Sequence, residues 1–197
     1  MNSYLNSILK ELQYYKRLGE KTLAQLPSEK WFWQPHPESN SIAIIINHLH
    51  GNMCSRWTQI FTTDGEKAGR NREEEFENTL STKKEVLSKW NEGWNTLFHT
   101  LNGLNSTQLE KILYIRNEGH TLTAALNRQL AHYAYHIGQI VYIGKMLQNQ
   151  NWKSLLSLEV QQFSSLKDSL LTLFHPKGYR VRYLQQERDL AKQLRLV

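Results

Sequence analysis

The stretch Arg128-Gln129-Leu130-Ala131-His132-Tyr133-Ala134-Tyr135-His136-Ile137-Gly138-Gln139-Ile140 decides the fold of this 197-residue chain. It sits inside residues 121–150, whose apolar positions keep the helical period, and one long amphipathic helix is expected there. His132 and His136 are four residues apart, one turn above each other on the same helix face, so both imidazoles can address a single ion. Two neutral imidazoles in that arrangement supply part of a tetrahedral or octahedral transition-metal site. The motif is not the metalloprotease helix signature, because Tyr133 stands where H-E-x-x-H carries its general-base glutamate.

Upstream, the chain predicts three more helices. Over residues 4–26 the positions Leu5, Ile8, Leu9, Leu12, Tyr15, Leu18, Leu23 and Leu26 are helically spaced, and Pro27 stops the segment. Residues 27–40, with Pro35 and Pro37 near Trp31 and Trp33, form an aromatic-rich loop. Ser39-Asn40-Ser41 then caps a second helix through Ile42, Ile45, Ile46, Leu49, Met53 and Trp57, running to about Phe61. Its isoleucine-rich opening suits a strand by propensity, but the helical period beyond Asn47 decides for a helix. Residues 62–77 are polar, with turn signals at Asp64-Gly65 and Gly69, and make a long loop carrying Arg70-Asn71-Arg72-Glu73. A third helix from about Ser81 buries Val86, Leu87, Trp90, Trp94, Leu97, Phe98 and Leu101 and closes at Asn102-Gly103. Residues 108–120 form a hairpin or an irregular crossover, with a turn at Asn117-Glu118-Gly119. Four amphipathic helices predict an all-α four-helix bundle, in which facing side chains build any internal site. Residues 158–174 and 183–194 are expected to add a C-terminal helical tail.

Composition narrows the function. The length suits one core, and the single cysteine, Cys54, allows no intrachain disulfide and fits a reducing compartment. The N-terminal residues do not resemble a leader, and no apolar run approaches the roughly 18 residues that span a bilayer, so a cytoplasmic protein without a membrane partner is expected. The net charge of +6 comes largely from Lys167, Lys177, Arg180, Arg182, Arg188, Lys192 and Arg195, opposed only by Asp168, Glu187 and Asp189 in that tail. Aromatic side chains for base stacking are sparse there, and no nucleic-acid partner is expected. Nucleophilic-serine motifs, phosphate loops and dinucleotide fingerprints do not occur.

A two-histidine ion site needs a third ligand from another helix. The second helix offers His48 and His50, about 200° apart around the axis, so both cannot face one site. Periodicity leaves the choice open. The string Ile45-Ile46-Asn47-His48-Leu49-His50-Gly51-Asn52, the Arg70-Asn71-Arg72 loop followed by Glu75-Phe76, and the long fourth-helix string together resemble the DinB/YfiT-like superfamily over about residues 1–158. The resemblance implies an up-down-down-up four-helix bundle, commonly packed as a homodimer. It also implies a divalent metal, nickel or zinc, on three histidines that fall at His48, His132 and His136. Members of that superfamily include S-transferases and isomerases that use low-molecular-weight thiols, and proteins described as metal-dependent hydrolases. His50 has no counterpart there as a ligand, and the tail departs from the pattern. The organisation expected is a bundle over residues 1–158 and a basic helical extension over residues 159–197.

Around the ion, Gln139 lies three residues beyond His136, able to hydrogen-bond a ligand or the groups around it; the alternative is an amide tied into the bundle interior. Arg128 lies one turn before His132, able to clamp a carboxylate or phosphate, the commoner alternative being a solvent-facing arginine near the helix start. Both are carried as candidate catalytic residues. Cys54 is taken as a small buried filler, Tyr133 and Tyr135 as interhelix packing, and Arg70 and Arg72 as partners of Glu73, Glu74 and Glu75. Trp31 and Trp33 are the tryptophans best placed to line a pocket. The expected function is a metal-dependent enzyme that activates a thiol or water toward a small-molecule substrate. The alternative is a stress-related binding module whose basic tail contacts a protein partner or nucleic acid.

Overall fold

The computed structural model describes residues 3–155. Four helices dominate: α1 (Ser3–Gln25), α2 (Ile42–Trp57), α3 (Lys83–Asn102) and α4 (Leu122–Gln148). Between α3 and α4 a two-stranded antiparallel hairpin, β1 (Ile112–Ile115) and β2 (Glu118–Thr121), resolves the choice left open for residues 108–120. The expected tail helices at 158–174 and 183–194 lie outside the described residues. Among those residues, no helix is long and apolar enough to cross a membrane.

Local chemistry sets the helix starts. Ser41 Oγ accepts from Ile44 N at 3.1 Å and Thr121 Oγ1 from Ala124 N at 3.1 Å, while Thr82 and Glu85 form a reciprocal capping box. These caps stand within a residue or two of the expected starts. The second helix ends earlier than its apolar pattern predicts, at Trp57 rather than Phe61. Thr58 is extended and Gln59 turns left-handed at φ 51°, and no glycine there announces the break.

Packing pairs α2 chiefly with α3, and α1 with α4. Leu5 and Leu12 from α1, Ile42, Ile45, Ile46 and Leu49 from α2, Trp94 and Leu97 from α3, and Leu126, Tyr133 and Ile140 from α4 are buried in one core. Each such side chain contributes roughly 1.5–3 kcal/mol by leaving water. In the hairpin, Leu113 and Ile115 face the core while Ile112 and Tyr114 face out, the two-residue alternation of a half-buried strand. Arg116 and Asn117 both have positive φ, 56° and 63°, the pattern of a type I′ turn.

The loop between α2 and α3 is tied to the hairpin. Asp64 accepts from Arg116 N at 2.9 Å and Asn117 N at 2.8 Å, and Gly65 N donates to Tyr114 O at 2.8 Å. Farther along, a single 3-10 turn, Glu74–Phe76, lies against α2, held by Asn47 Nδ2 donating to Glu75 O at 3.2 Å. This turn places Glu75 and Phe76 beside His48.

Candidate metal centre

His48 comes from α2, and His132 and His136 from successive turns of α4. A ligand atom from each of the three lies within 4.8 Å of the others. His48 and His136 are buried and His132 is partly buried. Nε2 of His48 stands 3.2 Å from Nε2 of His132, a separation at which two lone pairs repel unless a proton or a cation lies between them. Phe76 stacks on the His48 ring at 4.5 Å between centroids.

Two of the rings are oriented from behind. Glu75 Oε2 lies 2.9 Å from Nδ1 of His48, and Gln139 Oε1 lies 2.9 Å from Nδ1 of His136. An oxygen acceptor at Nδ1 fixes the proton there and leaves the Nε2 lone pair for a ligand role. Nε2 of His136 and Nδ1 of His132 are enclosed without a hydrogen-bond partner. Burial, with the neighbouring imidazoles, pushes His132 down to about 3, and burial pushes His136 down to about 4. Both rings are therefore neutral at neutral pH. Neutral imidazoles with an orphaned inward nitrogen fit a divalent ion of the zinc or nickel type.

Glu75 is itself clamped. Arg70 Nε lies 2.6 Å from Glu75 Oε1 and Arg70 Nη2 2.7 Å from Glu75 Oε2, a bidentate pair. Burial alone would raise the Glu75 carboxyl, but Arg70 and His48 outweigh it and hold it below the usual carboxylate range. Gly51 makes room for this carboxylate, since a Cβ there would fall inside it.

A family model described as "Protein of unknown function (DUF1572)" matches residues 1–160. The chain belongs to the DUF1572 family. Among solved structures, this DUF1572 chain is similar to one described as "Crystal structure of the conserved protein of locus from Enterococcus faecalis". The TM-score is 0.55 at 18% identity, covering 74% of this chain and 96% of that one. That likeness is one of fold. No curated protein matches. A DinB-like bundle is compatible with both findings.

Within this DUF1572 chain, the residues singled out in the sequence take different places. His50 lies apart from the triad and pairs with Glu92 at 3.0 Å. Gln139 is exposed yet reaches the back of His136. Arg128 is exposed on α4, and its charge is felt by the buried Arg56. Arg70 pairs with Glu75 and also Glu66, whereas Arg72 stays exposed near Tyr135. Trp31 is buried in the core and Trp33 is on the surface. Cys54, expected as a buried filler, is only half-buried, because it sits at the outer edge of the α2–α3 contact.

Three contributors went unrecognised in the sequence. Glu75, expected only as an ion-pair partner of Arg70 and Arg72, also holds His48. Asn52 and Trp57 both meet the Tyr133 hydroxyl, which donates to Asn52 Oδ1 at 3.0 Å and accepts from Trp57 Nε1 at 2.8 Å. The available signal was Gly51, a helix-interior glycine three residues after His48, which marks a close approach from outside the helix.

Proposed function

We propose that this protein is a metal-dependent enzyme of the DinB-like kind, in which His48, His132 and His136 hold a divalent ion, nickel or zinc, that serves a small-molecule substrate. The observation that carries this reading is the enclosed, unpartnered Nε2 of His136 beside two further imidazoles, with Glu75 and Gln139 behind them. A divalent ion bound there supplies Lewis acidity and brings a coordinated water or thiol to its deprotonated form near neutral pH.

The chain's own residues do the rest. Glu75 and Gln139 keep the protons of His48 and His136 on Nδ1, and Arg70 keeps Glu75 in place. Phe76 covers one face of His48 against water. Arg128, one turn from His132 on α4, receives an anionic group of the substrate or of a low-molecular-weight thiol. The up-down-down-up helix order fits the pairing of α1 with α4 and of α2 with α3. A homodimer is supported by the exposed Tyr135, Tyr142 and Met146, which share one face of α4. The bundle boundary near residue 158, with residues 159–197 as an extension, is supported by a family match that ends at residue 160.

Elemental analysis tests the assignment. Purified wild-type protein should carry nickel or zinc, and His48→Ala, His132→Ala and His136→Ala should each lose most of the triad ion while keeping helical circular dichroism. Equal metal content in all four folded proteins would overturn it. Metal-loaded protein should then be screened with thiol-plus-electrophile pairs and with esters and amides, which separates transfer from hydrolysis.

A further inference from the structure

On the side of α2 away from the triad, His50 and Cys54 are one turn apart, and on α3 Glu92 and Thr96 are likewise one turn apart. The two helices approach closely at Gly93, where a Cβ would come 3.1 Å from His50 Cα and 3.2 Å from Met53 Sδ. That approach brings His50 Nε2 to 3.0 Å from Glu92 Oε2, and Cys54 Sγ to 3.9 Å from Thr96 Oγ1. One donor atom each from His50, Cys54 and Glu92 lies within 4.8 Å of the other two. His50 Nε2 is enclosed, and its pairing with the Glu92 carboxylate lacks the alignment of a hydrogen bond. A cavity of about 530 Å³ opens beside this cluster, lined by His50, Cys54, Lys67, Glu74 and Lys89 among others.

We propose that His50, Cys54 and Glu92 form a second divalent-metal site, distinct from the histidine triad and built for a zinc-like ion. Thiolate, imidazole and carboxylate are the three donor types that borderline divalent ions accept together, at nearly tetrahedral geometry. Binding displaces the Cys54 thiol proton to solvent. Three protein donors leave at least one coordination position, and the adjoining cavity gives a water or a small anion access to it. Lys89 is the opposing charge: its ammonium acts on both His50 and Cys54 and weakens the site for a cation.

Cys54 is the single cysteine of the chain, and the triad has no sulfur donor, so a thiolate-to-metal charge-transfer band reports this second site alone. Full-length protein freed of metal and of added thiol should be titrated with Co²⁺ and followed in the near ultraviolet. The band should appear and saturate in the wild type and in His132→Ala, and be absent in Cys54→Ser. His50→Ala and Glu92→Gln should each weaken its apparent affinity about tenfold or more, since each removes one of three protein donors. Lys89→Ala should tighten it. Glu92 is exposed, so Glu92→Gln is expected to fold even if a more buried variant does not. No band from folded wild-type protein, or a band whose affinity in both His50→Ala and Glu92→Gln is unchanged from wild type, would overturn the proposal.

Discussion

Glu75 Oε2 lies 2.9 Å from Nδ1 of His48, and both side chains are more than nine-tenths buried. A carboxylate so placed fixes the imidazole tautomer and raises its basicity toward an ion on the other side. The carboxylate comes from a loop 27 residues away in the chain, so the candidate ligand on α2 is held by a segment outside the four helices. Arg70 and the 3-10 turn around Glu75 therefore belong to the candidate metal centre as much as the helices do.

Glu75→Gln preserves shape but removes the charge facing Arg70 and His48, and should lower triad affinity by about 10–100-fold, the usual effect of losing such a partner. Gly51→Ala should act in the same direction, because its methyl group displaces the carboxylate. At an unobstructed helix site that substitution would instead stabilise by roughly 1 kcal/mol. Competition of the metal-loaded proteins against a chelator measures both, and unchanged affinity in the two variants would remove Glu75 from the centre.

Tyr133→Phe should destabilise the fold by about 1–3 kcal/mol, because it strands Asn52 Oδ1 and Trp57 Nε1 in a buried environment. Urea unfolding followed by tryptophan fluorescence checks it. A loss below about 0.5 kcal/mol would mean that water replaces the hydroxyl.

How much of this was legible in the sequence differs from residue to residue. His132 and His136 were readable because a helix imposes a four-residue period that survives without any tertiary information. The hairpin was readable only in part: the turn expected at Asn117-Glu118-Gly119 lies at Arg116-Asn117, with Glu118 and Gly119 already in β2, because Arg116, with its positive φ, carried no warning. His48 and His50 were not separable by period, since α2 is buried on nearly every side over Ile42 to Leu49 and offers no polar face for reference. Glu75 was hidden because its role depends on how a loop folds back, which local pattern does not encode. The His50–Cys54–Glu92 grouping was hidden for the same reason: it requires the approach of α3 at Gly93.

Asp64 makes stability depend on acid in a stated direction. Burial alone would raise its carboxyl, but the N–H groups of Asn117, Glu66 and Arg116, with Arg56 nearby, outweigh this and hold it below the usual carboxylate range. A depressed folded value means that the unfolded chain binds the proton first. The contribution is thus complete above the ordinary carboxylate value of about 4 and is lost as pH falls through the lower folded value. Asp64→Asn should be less stable than wild type near neutral pH, and the gap should close on acidification. Denaturant unfolding at several pH values reads this, and a gap independent of pH would show that the charge of Asp64 is irrelevant.

Under the proposed function, Arg128 and Gln139 respond differently to the charge of a ligand, and this separates their roles. Gln139 is bound to His136 and acts through it, so Gln139→Ala should weaken the ion for every ligand alike. Arg128 is exposed, and in the proposed site its guanidinium would act only on a ligand that carries negative charge. In cobalt-loaded Cys54→Ser protein an added thiol is the only thiol present, so its charge-transfer band measures binding at the triad. Arg128→Ala should raise the dissociation constant of mercaptoacetate by up to about five-fold, the scale of a solvent-screened ion pair of about 1 kcal/mol or less. It should leave mercaptoethanol nearly unaffected, and the difference should shrink with added salt. Equal effects on the two thiols would take Arg128 out of the site. A triad spectrum indifferent to both thiols, in a protein that hydrolyses an ester or amide only when metal-loaded, would settle the chemistry in favour of water over thiol.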